Sequence, residues 1–187
     1  MSSQPTLHIA VDNDIQLRLL ELHHAQVYND LANRNREALA VWMPWATYEN
    51  SLEQTQSFLQ YKLRQFADGK GAQFGLWYQD QLVGALGLND LDREDSKVEI
   101  GYWVDTSMQG KGLVTRASRA LIAYAFHEYG LNKVEIHCAT ANKRSRAVAE
   151  RLGFLHEGTI RQAQRLGDHF VDMAIYGMLA SDWREEH

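Results

Sequence analysis

Apolar and polar positions alternate along several stretches of the chain. The clearest is "KVEIGYWV", where Val98, Ile100, Tyr102 and Val104 fall on one side and Glu99, Gly101 and Trp103 on the other. A period of two is that of a strand with two distinct faces. "LHIA" and "IQLRLL" read as an extended start in the same way. "AQFGLWYQ" and "QLVGALGLNDL" read as strands flanking a hairpin turn at Asp80-Gln81. "KVEIHCAT" is a further strand, with Val134, Ile136 and Cys138 on its inner side, and two more strands flank "LGDH".

Elsewhere the spacing is helical. In "SLEQTQSFLQYKLRQFADGKG" the residues Leu52, Phe58, Leu59, Leu63 and Phe66 form an apolar stripe, Ser51 can cap its start, and Gly69 and Gly71 stop it. Residues from about 23 to 41 read as one or two helices ended near Pro44. Val114 to His127 reads as a helix, and so does Asn142 to Leu152, with Gly153 at its C′ position. The order is helices, an antiparallel meander, then β-α-β-α-β-β. That order predicts an α+β (mixed α/β) fold with a mixed sheet and helices on its faces. The sequence shows no repeats, low-complexity tracts or linkers, and its two prolines are Pro5 and Pro44. One domain over residues 1–187 is expected.

Composition narrows the function classes. Of 187 residues, 45% are apolar and 23% charged, ordinary for a globular protein with a sizeable core. A net charge of −5 argues against wholesale nucleic-acid binding, which calls for a basic surface. Cys138 is the single cysteine, so no internal disulfide and no cysteine-based zinc site is expected. The adjacent His23 and His24 do not share a helix face, which argues against a metal there. "MSSQPTLHIAVDND" lacks a basic n-region and an apolar h-region, so no signal peptide is expected. No apolar run approaches the roughly 18 residues of a membrane span. The cytoplasm is the default location.

The stretch with most chemistry in it is "MQGKGLVTRA", where Gly110 and Gly112 flank Lys111 just before a helix. A helix start offers unpaired N–H groups and the positive end of a dipole to an anion. The glycines let an anion approach the backbone. The plain alternative is an ordinary strand-to-helix turn. A P-loop is excluded, because Gly112 follows Lys111 and no glycine lies at the required upstream spacing. A dinucleotide fingerprint is excluded too, because Leu113, Val114 and Thr115 supply no third small residue.

A third motif fits. "GYWVDTSMQGKGLVTRASRALIAYAF" resembles the acetyl-CoA loop of the GCN5-related N-acetyltransferase (GNAT) family, in which Gln/Arg-x-x-Gly-x-Gly/Ala joins a strand to a helix. Gln109, Gly112 and Val114 take those places, Val114 being larger than usual. "ATANKRSRAVAERLGFLHEG" resembles the family's second half, and with "EIGYW" and "MLASDW" it is most similar to the branch that acetylates N-termini of ribosomal proteins. The likeness covers roughly residues 97 to 183 and is loose over 23 to 70.

The resemblance implies a mostly antiparallel GNAT-like sheet with a splayed parallel strand pair. It also implies a cofactor-binding core over about 72–183 and a helical acceptor side over about 23–70. Acetyl-CoA is the implied co-substrate, with no metal. Its pantetheine would pair with the open edge of the strand carrying Tyr102, Trp103 and Val104. Its pyrophosphate would rest on N–H groups of Gln109, Gly110, Lys111, Gly112, Leu113, Val114 and Thr115, and Asn142 and Ser145 would lie further along. A homodimer is one arrangement the resemblance allows.

The acceptor amine must shed a proton before it attacks. A lysine amine, with a pKa of ~10.4, stands roughly 3 units above neutrality, a cost of about 4 kcal/mol. An α-amine near ~8 costs under ~1 kcal/mol and needs only a modest base. Glu99, beside the implied thioester, is the candidate base; the plain alternative is a salt-bridged carboxylate on an alternating strand. Many family members place a tyrosine acid seven residues after the helix asparagine, where this chain has Ala149. Ser145 is then the candidate proton donor to the leaving thiolate. The branch's glutamate in the next strand is matched by Gln164, which cannot act as a base. Asn142 also reads as a helix N-cap.

Other residues read as structural. His137 and His169 are expected to face solvent or support strands, Cys138 to be a core thiol, and "REDSK" a solvated turn. Trp42, Met43 and Trp45 are expected to pack on the sheet, with a lid over the acceptor as the other reading. The expected function is acetyl transfer to a protein N-terminus. The alternatives are a small-amine (polyamine or aminoglycoside) acetyltransferase and a CoA-binding sensor module. An acidic pocket would favour a polyamine and an open groove a peptide.

Overall fold

The computed structural model describes residues 7–184. Pro5 and the first residues of the stretch read for a signal peptide lie outside it. Eight strands form one sheet in the order β1-β2-β3-β4-β5-β6-β8-β7. They are β1 (His8–Ala10), β2 (Ile15–Leu19), β3 (Ala72–Tyr78), β4 (Gln81–Asp92), β5 (Lys97–Val104), β6 (Lys133–Ala139), β7 (Leu155–Leu166) and β8 (His169–Leu179). Every neighbouring pair is antiparallel except β5 and β6, which run parallel. A parallel pair needs a crossover, and helix α4 (Leu113–Tyr129) supplies it. Among the described residues no helix is long and apolar enough to cross a membrane.

The two sides of the sheet bury different clusters. Val98, Ile100, Val134 and Ile136 pack with Leu113, Ala117, Leu121 and Ile122 of α4. On the other side Trp103 and Ala85 pack with Tyr28 and Leu31 of α1 (Ala25–Arg34) and Leu39 of α2 (Arg36–Ala40). The alternation of β5 is therefore as expected, with a core on both sides. Helix α3 (Leu52–Ala67) begins in a capping box, in which the Ser51 hydroxyl accepts from the Gln54 N–H and Gln54 Oε1 accepts from the Ser51 N–H. Its apolar stripe serves both clusters, Leu52, Phe58 and Leu59 one and Leu63 and Phe66 the other.

The segment of residues 23–41 resolves into two helices because Asn35 breaks it. Its buried amide donates to the Leu31 carbonyl (2.9 Å) and accepts from the Thr106 N–H (2.9 Å) and hydroxyl (3.1 Å). Arg34 pairs with Asp105 at 2.7 Å. The acceptor-side helices are thus tied to the turn that follows β5.

The β3–β4 turn lies one residue earlier than expected. Tyr78 pairs with Gln81, and the loop is Gln79-Asp80, both with positive φ (49° and 60°). A two-residue hairpin with both residues left-handed matches the twist of its strands. Here side contacts hold it without glycine: the Gln79 N–H donates to the Asp14 carbonyl at 2.9 Å, and Asp80 pairs with Arg18. Helix α5 spans Lys143–Arg151, so Asn142 and Leu152 are its caps, and Gly153 follows with φ 83°.

Candidate active site

Strands β5 and β6 share only three residue pairs, Lys97 with Lys133, Val98 with Val134 and Glu99 with Glu135. The paired segments are the same tetrapeptide, Lys-Val-Glu-Ile, a short repeat that the sequence reading passed over. Beyond Glu99 the strands part. The facing edges, Gly101 to Val104 and Ile136 to Ala139, line a cavity of about 1500 Å³. Strand β6 stays paired to β8 as far as Ala139, and β5 stays paired to β4. The inner edge of β5 is left open to an extended ligand carrying amides.

The cavity runs to the start of α4. Asp105 Oδ1 accepts from the Ser107 N–H at 2.9 Å and shapes the turn before the glycines. Gly110 and Gly112 adopt φ of 78° and 70°, and a Cβ on either would meet nothing within 4 Å. No side chain caps α4, whereas Ser51 caps α3 and Asn142 caps α5. The free N–H groups at this end suit an anion. Val114, larger than the family's usual residue, packs against the core beneath.

Lys111 is not part of the cavity lining. Its ammonium lies 5.8 Å from the Tyr78 ring centroid and 3.3 Å from Met108 Sδ. Positive charge at this end of the lining comes instead from Lys143, Arg144 and Arg151 and from Arg116, which pairs with Asp12 at 2.6 Å. Arg144 also holds the Gln109 side chain. The open edge, the uncapped helix start and these cations fit the amide arm and phosphates of a CoA.

Glu99 and Ser145 are brought to the same cavity. Glu99 stands where the strands separate. Burial pushes its carboxyl above the usual carboxylate range, and Asp90 and Glu135 push the same way, while His137 opposes them. Ser145 sits in the first turn of α5, where its N–H donates to Asn142 Oδ1 at 3.1 Å. Its hydroxyl lies 3.0 Å from the Tyr102 hydroxyl, which also meets the Ser145 carbonyl at 3.0 Å. Burial raises the Tyr102 phenol, so it stays protonated. Ala149 is wholly buried in the core. A tyrosine hydroxyl does reach α5, but from β5.

His137 departs from its expected structural role. It lines the cavity, with Nδ1 3.3 Å from Glu99 Oε2 and Nε2 2.9 Å from Glu135 Oε2. The in-register repeat would have revealed it, because parallel pairing of Glu99 with Glu135 sets His137 just beyond the point of splay. His169 lies exposed beside Asp168, as expected. Cys138 is buried and also lines the cavity.

The other half of the cavity lies against α1, α2 and α3. Trp42, Met43 and Trp45 all line it; Met43 packs on the cluster beneath α1 and α2, whereas Trp45 stays exposed with its ring 6.1 Å from that of Trp103. Gln164 on β7 donates to the Trp42 carbonyl at 3.3 Å, so it steadies that segment. Lys62 reaches in from α3 and donates to Asn89 Oδ1 at 3.0 Å. Glu99 is the single carboxylate among the lining residues.

Comparison with known proteins agrees with this geometry. Residues 14–155 match the family model described as an acetyltransferase (GNAT) domain. The chain is 38% identical, over 177 residues, to the putative ribosomal N-acetyltransferase YdaF of Bacillus subtilis (strain 168), covering 94% of this chain and 97% of that one. RimL, a ribosomal L7/L12 α-N-protein acetyltransferase solved with coenzyme A, superposes with a TM-score of 0.91 at 26% identity, covering 94% of this chain and 99% of RimL. The microcin C7 self-immunity acetyltransferase MccE, solved with acetyl-CoA and AMP, gives 0.86 at 29% identity, covering 90% and 94%. The chain belongs to the GNAT acetyltransferase family and is an N-acetyltransferase.

Proposed function

We propose that this chain moves the acetyl group of acetyl-CoA to the α-amine of a protein N-terminus, and that a ribosomal protein is the acceptor. The observation that carries the reading is the acceptor half of the cavity. It is broad and aromatic, and it holds one carboxylate, Glu99, together with a cation, Lys62. A polyamine asks for several carboxylates and would be repelled by Lys62. A peptide N-terminus brings one amine and apolar or acidic neighbours. The names of YdaF and RimL point the same way.

Acetyl-CoA supplies the acyl group as a thioester and departs as a thiol. The open edge at Tyr102, Trp103 and Val104 holds its amide arm, and their backbone groups orient the thioester. The N–H groups from Gln109 to Thr115 hold the pyrophosphate, with Arg116 and Arg144 adding charge. Asn142 orients the first turn of α5. Glu99, its carboxyl raised toward neutrality by burial, takes the acceptor's proton. The Ser145 hydroxyl, backed by Tyr102, hands a proton to the departing sulfur.

The test is thiol release from acetyl-CoA against N-terminal peptides of ribosomal proteins, spermidine, an aminoglycoside and free lysine. Selective turnover of a peptide is expected. Turnover confined to a small amine would overturn the acceptor.

A further inference from the structure

Once acetyl-CoA and an acceptor fill the cavity, Glu99 loses its route to water, and the proton it takes needs an exit. The side chains of β6 provide one. Residues 133, 135 and 137 alternate onto one face, and their contacts are continuous. Glu99 Oε2 lies 3.3 Å from His137 Nδ1, and His137 Nε2 2.9 Å from Glu135 Oε2. Glu135 Oε1 lies 2.9 Å from Lys133 Nζ, which lies 2.6 Å from Glu157 Oε2 on β7. The path starts in the cavity wall and ends at Glu135, itself 20% exposed, whose carboxylate is braced by the Lys133 ammonium and, through it, Glu157.

We propose that His137 is a relay and positioning residue, taking the proton from Glu99 and passing one through Glu135 to the surface. This rests on Glu99 being the base in the reading above. A neutral imidazole has one N–H and one lone pair, yet both ring nitrogens face carboxylates. The hydrogen bond of the ring is between Nε2 and Glu135 Oε2 at 2.9 Å, and Nδ1 stands 3.3 Å from Glu99 Oε2 without one. With Glu99 a carboxylate and the ring proton on Nε2, the Nδ1 lone pair is free to accept. The proton that Glu99 takes from the acceptor crosses to Nδ1 and the proton on Nε2 leaves for Glu135, so one arrives and one departs. A ring flip then restores the starting tautomer.

The surroundings suit this transfer. Asp90 on β4 acts on Glu99, and Lys62 from α3 is held at Asn89. Lys97 lies beside Asp95 and senses Glu135. On β8 the partner of His137 is Ile175, which carries no charge. Among the described residues no group of His, Cys, Asp or Glu is arranged to hold a metal. Here the ring nitrogens each face a different carboxylate, so the ligand atoms diverge.

The experiment uses the CoA-bound protein with an N-terminal peptide. In wild type, kcat is expected to rise with pH as Glu99 loses its proton. His137→Gln removes the group that opposes burial, Asp90 and Glu135 at Glu99. The acidic limb then moves to higher pH, and kcat below it falls about tenfold or more. KM for acetyl-CoA is expected to hold. Exogenous imidazole is expected to restore rate to His137→Ala. A merely structural histidine would lower kcat at every pH with the limb in place and without rescue, and that result overturns the relay. The second readout needs no turnover. The 15N resonances of the His137 ring, titrated in the CoA complex, are expected to shift their midpoint in Glu99→Gln and in Glu135→Gln. An unmoved midpoint in both overturns the relay. Wild type that acetylates no peptide overturns the acceptor reading alone, and the ring titration still decides the relay.

Discussion

Glu99 and Glu135 face each other at the last position that β5 and β6 share. Two carboxylates thus stand where the sheet opens, with the His137 ring between them. Glu99 lines the cavity and Glu135 does not.

Replacing Glu99 by Gln keeps shape and removes the base. Steady-state kinetics with a peptide acceptor are expected to show kcat lowered about a hundredfold. CoA affinity, measured by calorimetry, is expected to stay within twofold, because the glycine loop proposed to hold the phosphates is at the other end of the cavity. Equal turnover would remove Glu99 from its role.

Gly112 sits in open space at the start of α4. Gly112→Asp places a negative charge where the pyrophosphate is proposed to rest. CoA affinity is expected to fall at least about tenfold, a cost of roughly 1.4 kcal/mol. Gly112→Asn has nearly the same size and left-handed tolerance and serves as the neutral control. If Asp and Asn bind CoA alike, the phosphate is misplaced.

Ser145→Ala and Tyr102→Phe each remove one hydroxyl of a 3.0 Å pair. A thiol of pKa ~8.5 is a fair leaving group unaided, so each change is expected to lower kcat only several-fold at neutral pH. The loss should grow as pH rises and free donors become scarce. A flat ratio across pH would speak against proton donation.

Lys62→Glu puts a second carboxylate into the acceptor half of the cavity. Burial holds the Lys62 ammonium below the usual lysine range, with Asp90 opposing, so this position already sits in a poorly hydrated place. The ratio of spermidine to peptide turnover is expected to rise severalfold in the variant. An unchanged ratio would show that Lys62 does not read the acceptor.

Asn35→Ala leaves the Thr106 N–H without its acceptor. The expected loss is about 1 kcal/mol in chemical denaturation, the range for a lost hydrogen bond, because Thr106 is exposed and water can take the place of the acceptor. KM for acetyl-CoA should rise with it, since Thr106 leads into the glycine loop. A pure stability loss with KM unchanged would mean the loop holds its shape alone.

The order of elements, the capped start of α3 and the glycine loop were legible from local patterns, each written within one turn or one strand. Glu99 and Ser145 were reached through the family resemblance, which supplied the position of the thioester that no local pattern marks. What was hidden depends on partners far along the chain. The hairpin turn falls on Gln79-Asp80 because Asp14 and Arg18 hold it, where local preference pointed one residue later. Asn35 looks like any helix residue until Thr106 meets it, 71 positions away. His137 reads as a strand histidine unless the repeated Lys-Val-Glu-Ile is taken as a register mark. Lys111 stands out between its glycines because charge is visible in a sequence and side-chain direction is not; its ammonium turns to Met108 and Tyr78.

The three-pair seam between β5 and β6 gives the sheet a waist, with five strands on one side and three on the other. A ligand that pairs with β5 would act as a missing ninth strand as well as a substrate. Occupancy and rigidity are then one quantity. Melting temperature is expected to climb with CoA concentration, and amide exchange to slow first at residues 101–104, so that the enzyme is most nearly a finished fold only while it holds what it consumes.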